Sequence, residues 1–330
     1  VVSGENLLII KYMDISICIP TYNNKAILSN CLKSIYEKTR GLSFEVIVCD
    51  DSSRADTAEM LASEFPEVKL IKNQIRQGYT KSINRAILAA KGDKILLLNN
   101  DTVFIDNPLP VLNDYLNKYD EVGAITCKML NLDGSFQKGF NVRRFPDLWF
   151  MLWEALMLDR VFPKGLLTKY YLALDFDFNK LQEVDQPAAT FLMLKREIIG
   201  KIGFLDETML DFFSDVDYCK RIRDLGWKIL YQPQASIFHL GSASYLLIPK
   251  KEAMVNSYRD RFSYVRKHFG KGSLLVLKSA FVFGMILRMI LYWLIVMFIR
   301  TNIIKLKNVD PKNSIEAFIS YKETMKMCLR

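Results

Sequence analysis

The chain has 330 residues and a net charge of +9, with half its residues hydrophobic and a quarter charged. That length accommodates one large domain with an appendage or two modest domains, and the apolar fraction excludes a globally disordered chain. The surplus of Lys and Arg favours anionic partners (nucleic acid, phospholipid or phosphorylated substrates) without choosing among them.

At the start, Leu7-Leu8-Ile9-Ile10 is too short for a signal-peptide core, so no secretion signal is read there. Ile15 to Ile19 is a β-branched run ended by Pro20. Ala26 to Tyr36 has apolar residues at helical spacing (Ile27, Leu28, Cys31, Leu32, Ile35). Phe44 to Cys49 reads as a second strand, Thr57 to Phe65 as a helix, Val68 to Ile71 as a third strand and Thr80 to Ala90 as a helix stopped at Gly92. Ile95 to Leu98 is a fourth strand running directly into Asn99-Asn100-Asp101. Strands alternating with helices predict a mainly parallel sheet with helices on both faces. In such sheets ligands bind beyond the carboxyl ends of the strands, and polar residues gather there: Tyr22 and Asn23, Asp50 and Asp51, Asn73, and Asp101. Turns favour Asn and Asp anyway, which explains each end singly but not their convergence.

Residues 102–185 are less regular. Trp149 to Val161 is an apolar, helix-like stretch expected to be core or lid, the alternative being an acceptor or membrane contact. Thr190 to Leu194 reads as a strand, Arg196 to Ile202 and Ser214 to Leu225 as helices, and Lys228 to Tyr231 as the start of another strand. Six cysteines form no CxxC pair, and Cys18 and Cys49 sit in strand-like runs, so reduced structural thiols of a cytosolic chain are expected. Two histidines, His239 and His268, are too few for a multi-histidine zinc site.

Three places carry candidate chemistry. Asp101, at the end of a buried strand, is suited to a Mg²⁺ or Mn²⁺ ion shared with substrate phosphates, since these ions take oxygen ligands and often only one or two carboxylates. Ser214 and Asp217 have the spacing of a capping box, and Asp217 is also placed to pair with Arg221 four residues on. Asp215, two residues from Asp217, faces elsewhere and is free to act as a general base in a cleft. The alternative is that both acids only satisfy the helix dipole. His239 follows a strand, where a core or surface role competes with completing a metal shell begun by Asp101.

The segments SICIPTYNN (16–24), FEVIVCDDSS (44–53), NQIRQGYTKSINRAI (73–87), GDKILLLNNDT (92–102), VDQPAATFLMLKREIIGKIGFLDE (184–207), FFSDVDYCKRIRDLGWKI (212–229) and HLGSAS (239–244) together resemble glycosyltransferase family 2, of the GT-A fold, and most closely its bacterial rhamnosyltransferase-like branch. The resemblance covers about Asp14 to Ser244. It implies an α/β, Rossmann-like catalytic domain over 1–248. It implies Pro20, Tyr22, Asp50, Asp51, Asn73, Asn84, Asn100 and Asp101 as contacts to a nucleotide-sugar donor. Asp101 and His239 would be ligands of Mg²⁺ or Mn²⁺, and Asp215 the base of an inverting displacement. Two departures stand out. The family's DxD is here Asn99-Asn100-Asp101, leaving one carboxylate, and Ser214 replaces a frequent acid, which is expected to ease ionisation of Asp215 and weaken it as a base. The turn Asp50-Asp51-Ser52-Ser53 also lacks a usual glycine.

Beyond about residue 249 the composition shifts. Lys250, Lys251, Arg259, Arg261, Arg266, Lys267, Lys271 and Lys278 face only Glu252 and Asp260, with aromatics interleaved, and Ser273 to Ile299 is apolar except for Lys278 and Arg288. The length permits a transmembrane helix, but Arg288 near its middle is costly there. Helices lying in the interface, or a re-entrant hairpin, let that arginine reach headgroups. Residues 249–330 are therefore expected to associate with the cytoplasmic face of the cell membrane, peripherally or monotopically, with anionic lipid rather than nucleic acid as partner. The competing reading is a helix buried against the catalytic domain or a second subunit. Asn313 to Arg330 is a candidate amphipathic dimerisation helix. The expected activity is transfer of L-rhamnose from dTDP-L-rhamnose to a polyprenyl-diphosphate-linked saccharide in cell-surface polysaccharide synthesis. The alternatives are a UDP-hexose or galactofuranose transferase, or a catalytically silent sugar-nucleotide-binding scaffold.

Overall fold

The computed structural model of the protein describes residues 13–51, 54–241, 247–300 and 325. In chain order the elements are β1 (Ile15–Thr21), α1 (Lys25–Lys38), β2 (Phe44–Asp50), α2 (Asp56–Glu64), β3 (Lys69–Lys72), α3 (Tyr79–Ala89), β4 (Lys94–Leu98), β5 (Thr102–Phe104), α4 (Pro108–Lys118) and β6 (Val122–Leu130). These are followed by β7 (Val142–Arg143), α5 (Leu148–Ala155), α6 (Leu158–Val161), α7 (Leu166–Tyr171), β8 (Gln182–Glu183), β9 (Gln186–Pro187) and β10 (Phe191–Lys195). The last are α8 (Arg196–Ile202), α9 (Ser214–Asp224), β11 (Lys228–His239), α10 (Lys250–His268) and α11 (Gly270–Arg300).

One sheet runs in the order β3-β2-β1-β4-β10-β6-β11-β5, with β8 added beside β11. The pairs among β1 to β4 are parallel, as is β6 with β11, whereas β10 enters antiparallel between β4 and β6. The fold is thus α/β with a mixed, mostly parallel sheet. Ile95 to Leu98 are fully buried, as strands covered on both faces require. Two apolar clusters lie on opposite faces of this sheet: one gathers Leu28, Leu32 and Leu112, the other Ile83, Ile87 and Ile222.

Several elements differ from the sequence expectation. β1 continues through Pro20, because β4 pairs only as far as Cys18 and the proline therefore interrupts no ladder on that side. β11 runs twelve residues through Pro233, accommodated by a register shift between Gln232 and Ser236. The apolar stretch 149–161 is broken at Met157, whose left-handed backbone (φ 63°) separates α5 from α6. No capping box forms. Phe213 is the residue before α9, in the left-handed region at φ 59°, and the Asp217 carboxylate is taken by Arg221, Lys267 and His268 instead.

The tail is built onto the body. Phe262, Tyr264 and Val265 of α10 and Leu277, Phe281 and Met285 of α11 form a third cluster with Met151 and Ala155 of α5 and with Met209 and Val216. α11 is one continuous helix, so the re-entrant hairpin is not formed. Its Gly284 lies so close to α5 that a Cβ there would fall 2.0 Å from the Ala155 carbonyl oxygen. Arg288 turns toward the same helix end, with Nη2 3.5 Å from the Glu154 carbonyl, rather than outward to headgroups. A helix C-terminus presents unpaired carbonyls and attracts a cation. Among the described residues α11 is the one helix long and apolar enough to cross a membrane. The expected helix 313–330, the run 7–10, Ser52 and Ser53, and residues 242–246 lie outside the described residues.

Candidate active site

The carboxyl ends of β1, β2 and β4 open into a cavity of about 420 Å³. Pro20, Tyr22, Asp51, Asn100, Asp101, Asp215 and His239, from five separate segments, all line it. Asp50, Asn73 and Asn84 do not. Asp50 is fully buried behind the strand end. Asn73 donates from Nδ2 to Asp51 Oδ1 at 2.7 Å and to Ser82 Oγ at 3.0 Å, and accepts from Arg85. Asn84 is spent on the 205–207 turn, donating to the Leu205 carbonyl at 2.9 Å and to Glu207 at 3.1 Å and accepting from the Leu205 N–H at 3.1 Å. Of these, Asn73 supports the lining residues Asp51 and Ser82 from behind.

Asp51 organises the loop that follows β3. Its Oδ1 accepts from the Gln77 N–H at 2.7 Å and its Oδ2 from the Gly78 N–H at 2.8 Å. Gly78 has φ +87°, and a Cβ there would press on Leu210 O (3.2 Å) and Asp211 Oδ1 (3.1 Å), so the tight approach requires glycine. The loop carries Arg76, whose guanidinium lies 5.1 Å above the Tyr22 ring and pairs with Asp211 and Glu252.

Asp101 and His239 meet because β5 and β11 are antiparallel, with Thr102 opposite His239. The Leu240 N–H donates to the Asp101 carbonyl at 2.9 Å, and Asn100 Nδ2 donates to Thr21 Oγ1 at 2.8 Å, fastening the turn on both sides. His239 Nε2 stands 3.3 Å from Asp101 Oδ1, and both residues are almost fully buried. Gln137 settles the tautomer. Its Nε2 donates to the His239 carbonyl and to Asn131 Oδ1, both at 2.9 Å, so its Oε1 faces His239 Nδ1 at 2.8 Å as an acceptor. Nδ1 thus carries the proton, and in the neutral ring a lone pair on Nε2 points toward a carboxylate. Two electron-rich atoms facing each other at a cavity wall suit a cation between them. Phe140 stacks on the imidazole, ring centres 5.0 Å apart, and restrains its plane. The described residues hold no group of three or more His, Cys, Asp or Glu arranged for a metal. The protein side therefore fits a divalent ion with one oxygen and one nitrogen ligand, the remaining positions falling to phosphate and water.

Asp215 opens α9. Its Oδ1 accepts from the Val216 N–H at 2.9 Å and its Oδ2 lies 3.4 Å from the Ala189 N–H. Burial pushes its carboxyl above the usual range, against these hydrogen bonds and the charge of Arg143. The water excluded around Asp215 thus works against the easier ionisation expected from the acid missing at Ser214. Asp217 points away from the cavity, as its spacing predicts, with Oδ2 2.8 Å from Arg221 Nε.

Sequence reasoning passed over Arg76, Gln137, Arg143 and Tyr79. Arg143 lies between the rings of Phe140 (5.7 Å) and Tyr171 (5.8 Å) and lines the cavity near Asp215. The Tyr79 hydroxyl is buried with no hydrogen-bond partner. For Arg76 the signal was its place in the turn leading into α3. For Gln137 and Arg143 there was none, since both lie in the irregular region whose strand pairing is long-range.

Residues 16–175 match the family described as Glycosyl transferase family 2. Over 209 residues the chain is 23% identical to N-acetylglucosaminyl-diphospho-decaprenol L-rhamnosyltransferase of Mycobacterium tuberculosis, covering 59% of this chain and 66% of that one. Over 97 residues it is 32% identical to UDP-Glc:alpha-D-GlcNAc-diphosphoundecaprenol beta-1,3-glucosyltransferase WfgD of Escherichia coli, covering 29% of this chain and 38% of that one. The crystal structure of GalNAc-T7 with UDP, GalNAc and Mn²⁺ superposes with a TM-score of 0.52 over 69% of this chain and 44% of that chain, at 16% identity, which shows a shared fold. The chain spans 27%, 31% and 66% of the length of three curated relatives that it matches. The family match takes in β1 to β6, and with them the strand ends from Pro20 to Asp101 that build the cavity; residues 16–175 are similar to glycosyl transferase family 2 and lie on a GT-A sheet.

Proposed function

We propose that the protein is an inverting, metal-dependent transferase that moves L-rhamnose from dTDP-L-rhamnose onto a polyprenyl-diphosphate-linked saccharide at the cytoplasmic face of the membrane. The observation that carries the reading is one cavity lined both by the Asp101–His239 pair, 3.3 Å apart, and by Asp215. Pro20, Tyr22 and Asp51 are assigned to the nucleoside, with Asn100 and Asp101 beside the diphosphate. Asp101 and His239 would hold Mg²⁺ or Mn²⁺, which when bound neutralises charge developing on the departing diphosphate. A silent scaffold is disfavoured by retention of all three residues.

Asp215 takes the proton of the acceptor hydroxyl. The freed oxygen attacks the anomeric carbon, the bond from that carbon to the diphosphate breaks with its electrons, and the configuration inverts. Its raised affinity for protons suits Asp215 to this task better than a solvated aspartate. Arg143, pinned between two rings, contributes positive charge beside the base.

The lipid-linked acceptor is supported by the likeness to the mycobacterial N-acetylglucosaminyl-diphospho-decaprenol L-rhamnosyltransferase. Membrane association through residues 249–330, in the plane of the interface rather than across it, is supported by α11: one face packs on α5 and α10, while Val276, Phe283, Ile286, Ile290 and Trp293 stay exposed at steps of three or four residues or their sums. A UDP-hexose donor is a second reading, favoured by the Escherichia coli relative. A donor panel with membrane extract and Mg²⁺ or Mn²⁺, followed by linkage analysis, tests both. Rhamnosyl transfer that EDTA abolishes is expected. Transfer from UDP-glucose alone would replace the first reading with the second, and undiminished transfer in EDTA would remove the metal assignment.

A further inference from the structure

Residues 160–174 contain Arg160, Lys164 and Lys169 and no acidic residue. All three bases are exposed. So are four large side chains among and beside them: Val161 is 64% exposed, Phe162 54%, Leu166 85% and Tyr170 56%. Single exposed apolar residues are ordinary on soluble proteins; four in one short stretch, interleaved with like charges, are not. Nor is the segment loosely attached. Arg144 donates to the Tyr170 carbonyl at 2.8 Å, lies 4.4 Å over the Tyr170 ring and pairs with Asp175. The Phe162 ring rests against Trp153, centres 5.9 Å apart. α7 therefore has two faces: Tyr170 is turned outward, while Tyr171 lines the cavity against Arg143.

We propose that residues 160–174 form a membrane-docking surface, separate from α11, that seats on anionic phospholipid and holds the cavity mouth at headgroup depth. The apolar side chains enter the acyl boundary and the three bases meet lipid phosphates, the charge complement of this acid-free stretch. Docking itself does not depend on the transferase reading. Only its consequence does: a lipid-linked acceptor arrives sideways along α7, its lipid outside by Tyr170 and its saccharide inside by Tyr171.

The test uses the full chain and sedimentation with vesicles of phosphatidylcholine, alone or mixed with phosphatidylglycerol. Phe162→Glu/Leu166→Glu is expected to weaken binding to the mixed vesicles about tenfold or more, because two apolar anchors are replaced by charges that the anionic surface repels. Lys164→Glu/Lys169→Glu is expected to remove the preference for phosphatidylglycerol. All four positions are exposed, so circular dichroism should be unchanged. Ile286→Glu/Ile290→Glu is the counterpart on α11. Vesicle affinity that survives Phe162→Glu/Leu166→Glu but falls in the α11 variant overturns the proposal. It is overturned equally if the wild type ignores vesicles and forms a dimer, seen by light scattering, that the same substitutions split. Loss of vesicle binding in the variant, alongside a wild type inert toward any lipid-linked acceptor, would uphold the docking surface and remove the acceptor assignment instead.

Discussion

Asp215 and Asp217 stand two residues apart on α9 and meet opposite environments. Asp215 faces the cavity, and burial raises its proton affinity. Asp217 is also buried, which alone would raise it, but hydrogen bonds from His268 and Lys267 and the charge of Arg221 prevail and hold its carboxyl at about 2. The sign for Asp215 follows directly. A base must be unprotonated, so activity is expected to fall as pH drops through a midpoint above the free-aspartate value of 3.8. The same raised affinity makes the ionised group a burden on the folded state above that value, because the unfolded chain releases the proton more easily. Asp215→Asn is therefore expected to cut turnover by at least about a thousandfold, leave donor binding intact and not lower the melting temperature. Turnover and calorimetry on the one variant check this. Near-normal turnover would end its assignment as the base.

At the scale of elements, α10 is the brace behind α9. Glu252, Asn256 and Asp260 recur every four residues on one face of it. Asp260 Oδ2 accepts from the Asp211 and Phe212 N–H groups, both at 2.9 Å, and Asn256 donates to Asp211 at 2.6 Å. The turn so held contains Phe213, whose left-handed backbone is unfavourable for a bulky residue and survives only under such support. The brace closes at the other end through Asp217, to which Lys267 Nζ and His268 Nε2 both come within 2.8 Å. Because the Asp217 carboxyl is depressed in the folded state, its contribution is present above the unfolded value of 3.8 and is lost as pH falls toward about 2. Asp217→Asn is expected to cost about 2–3 kcal/mol at neutral pH and to flatten the acid limb of unfolding in that window. Urea titrations at pH 7 and pH 3 measure it, and an equal loss at both would contradict the linkage. The Asp217–Arg221 pair was legible in the sequence because helical spacing decides it. The α10 partners were not: pairing across some fifty residues depends on how the chain returns, and Asp260 in a basic run reads as an exception rather than an anchor.

At the scale of the molecule, the sequence showed what local pattern controls. The first four strands, their helices and the polar strand ends appear where the residues put them. What it could not show came from non-local pairing: β10 entering antiparallel, β11 running through Pro233, and Gln137 reaching a histidine 102 residues away to orient it. Non-local packing also bears on the boundary expected at residue 248. α10 and α11 contribute Phe262, Tyr264, Val265, Leu277, Phe281 and Met285, all at most 6% exposed, to the cluster around Met151, Met209 and Val216. Burying each such side chain stabilises by about 1.5–3 kcal/mol, so the set contributes on the order of 10 kcal/mol, as much as a whole domain's net stability. A chain ending at 248 is therefore expected not to fold. It should bind a hydrophobic dye, melt without a cooperative transition and release no product. A chain ending at 290, which keeps all six residues, should melt cooperatively. If the 248-residue chain instead melts cooperatively within a few degrees of the full protein, residues 249–330 are an independent appendage and α10 is no brace.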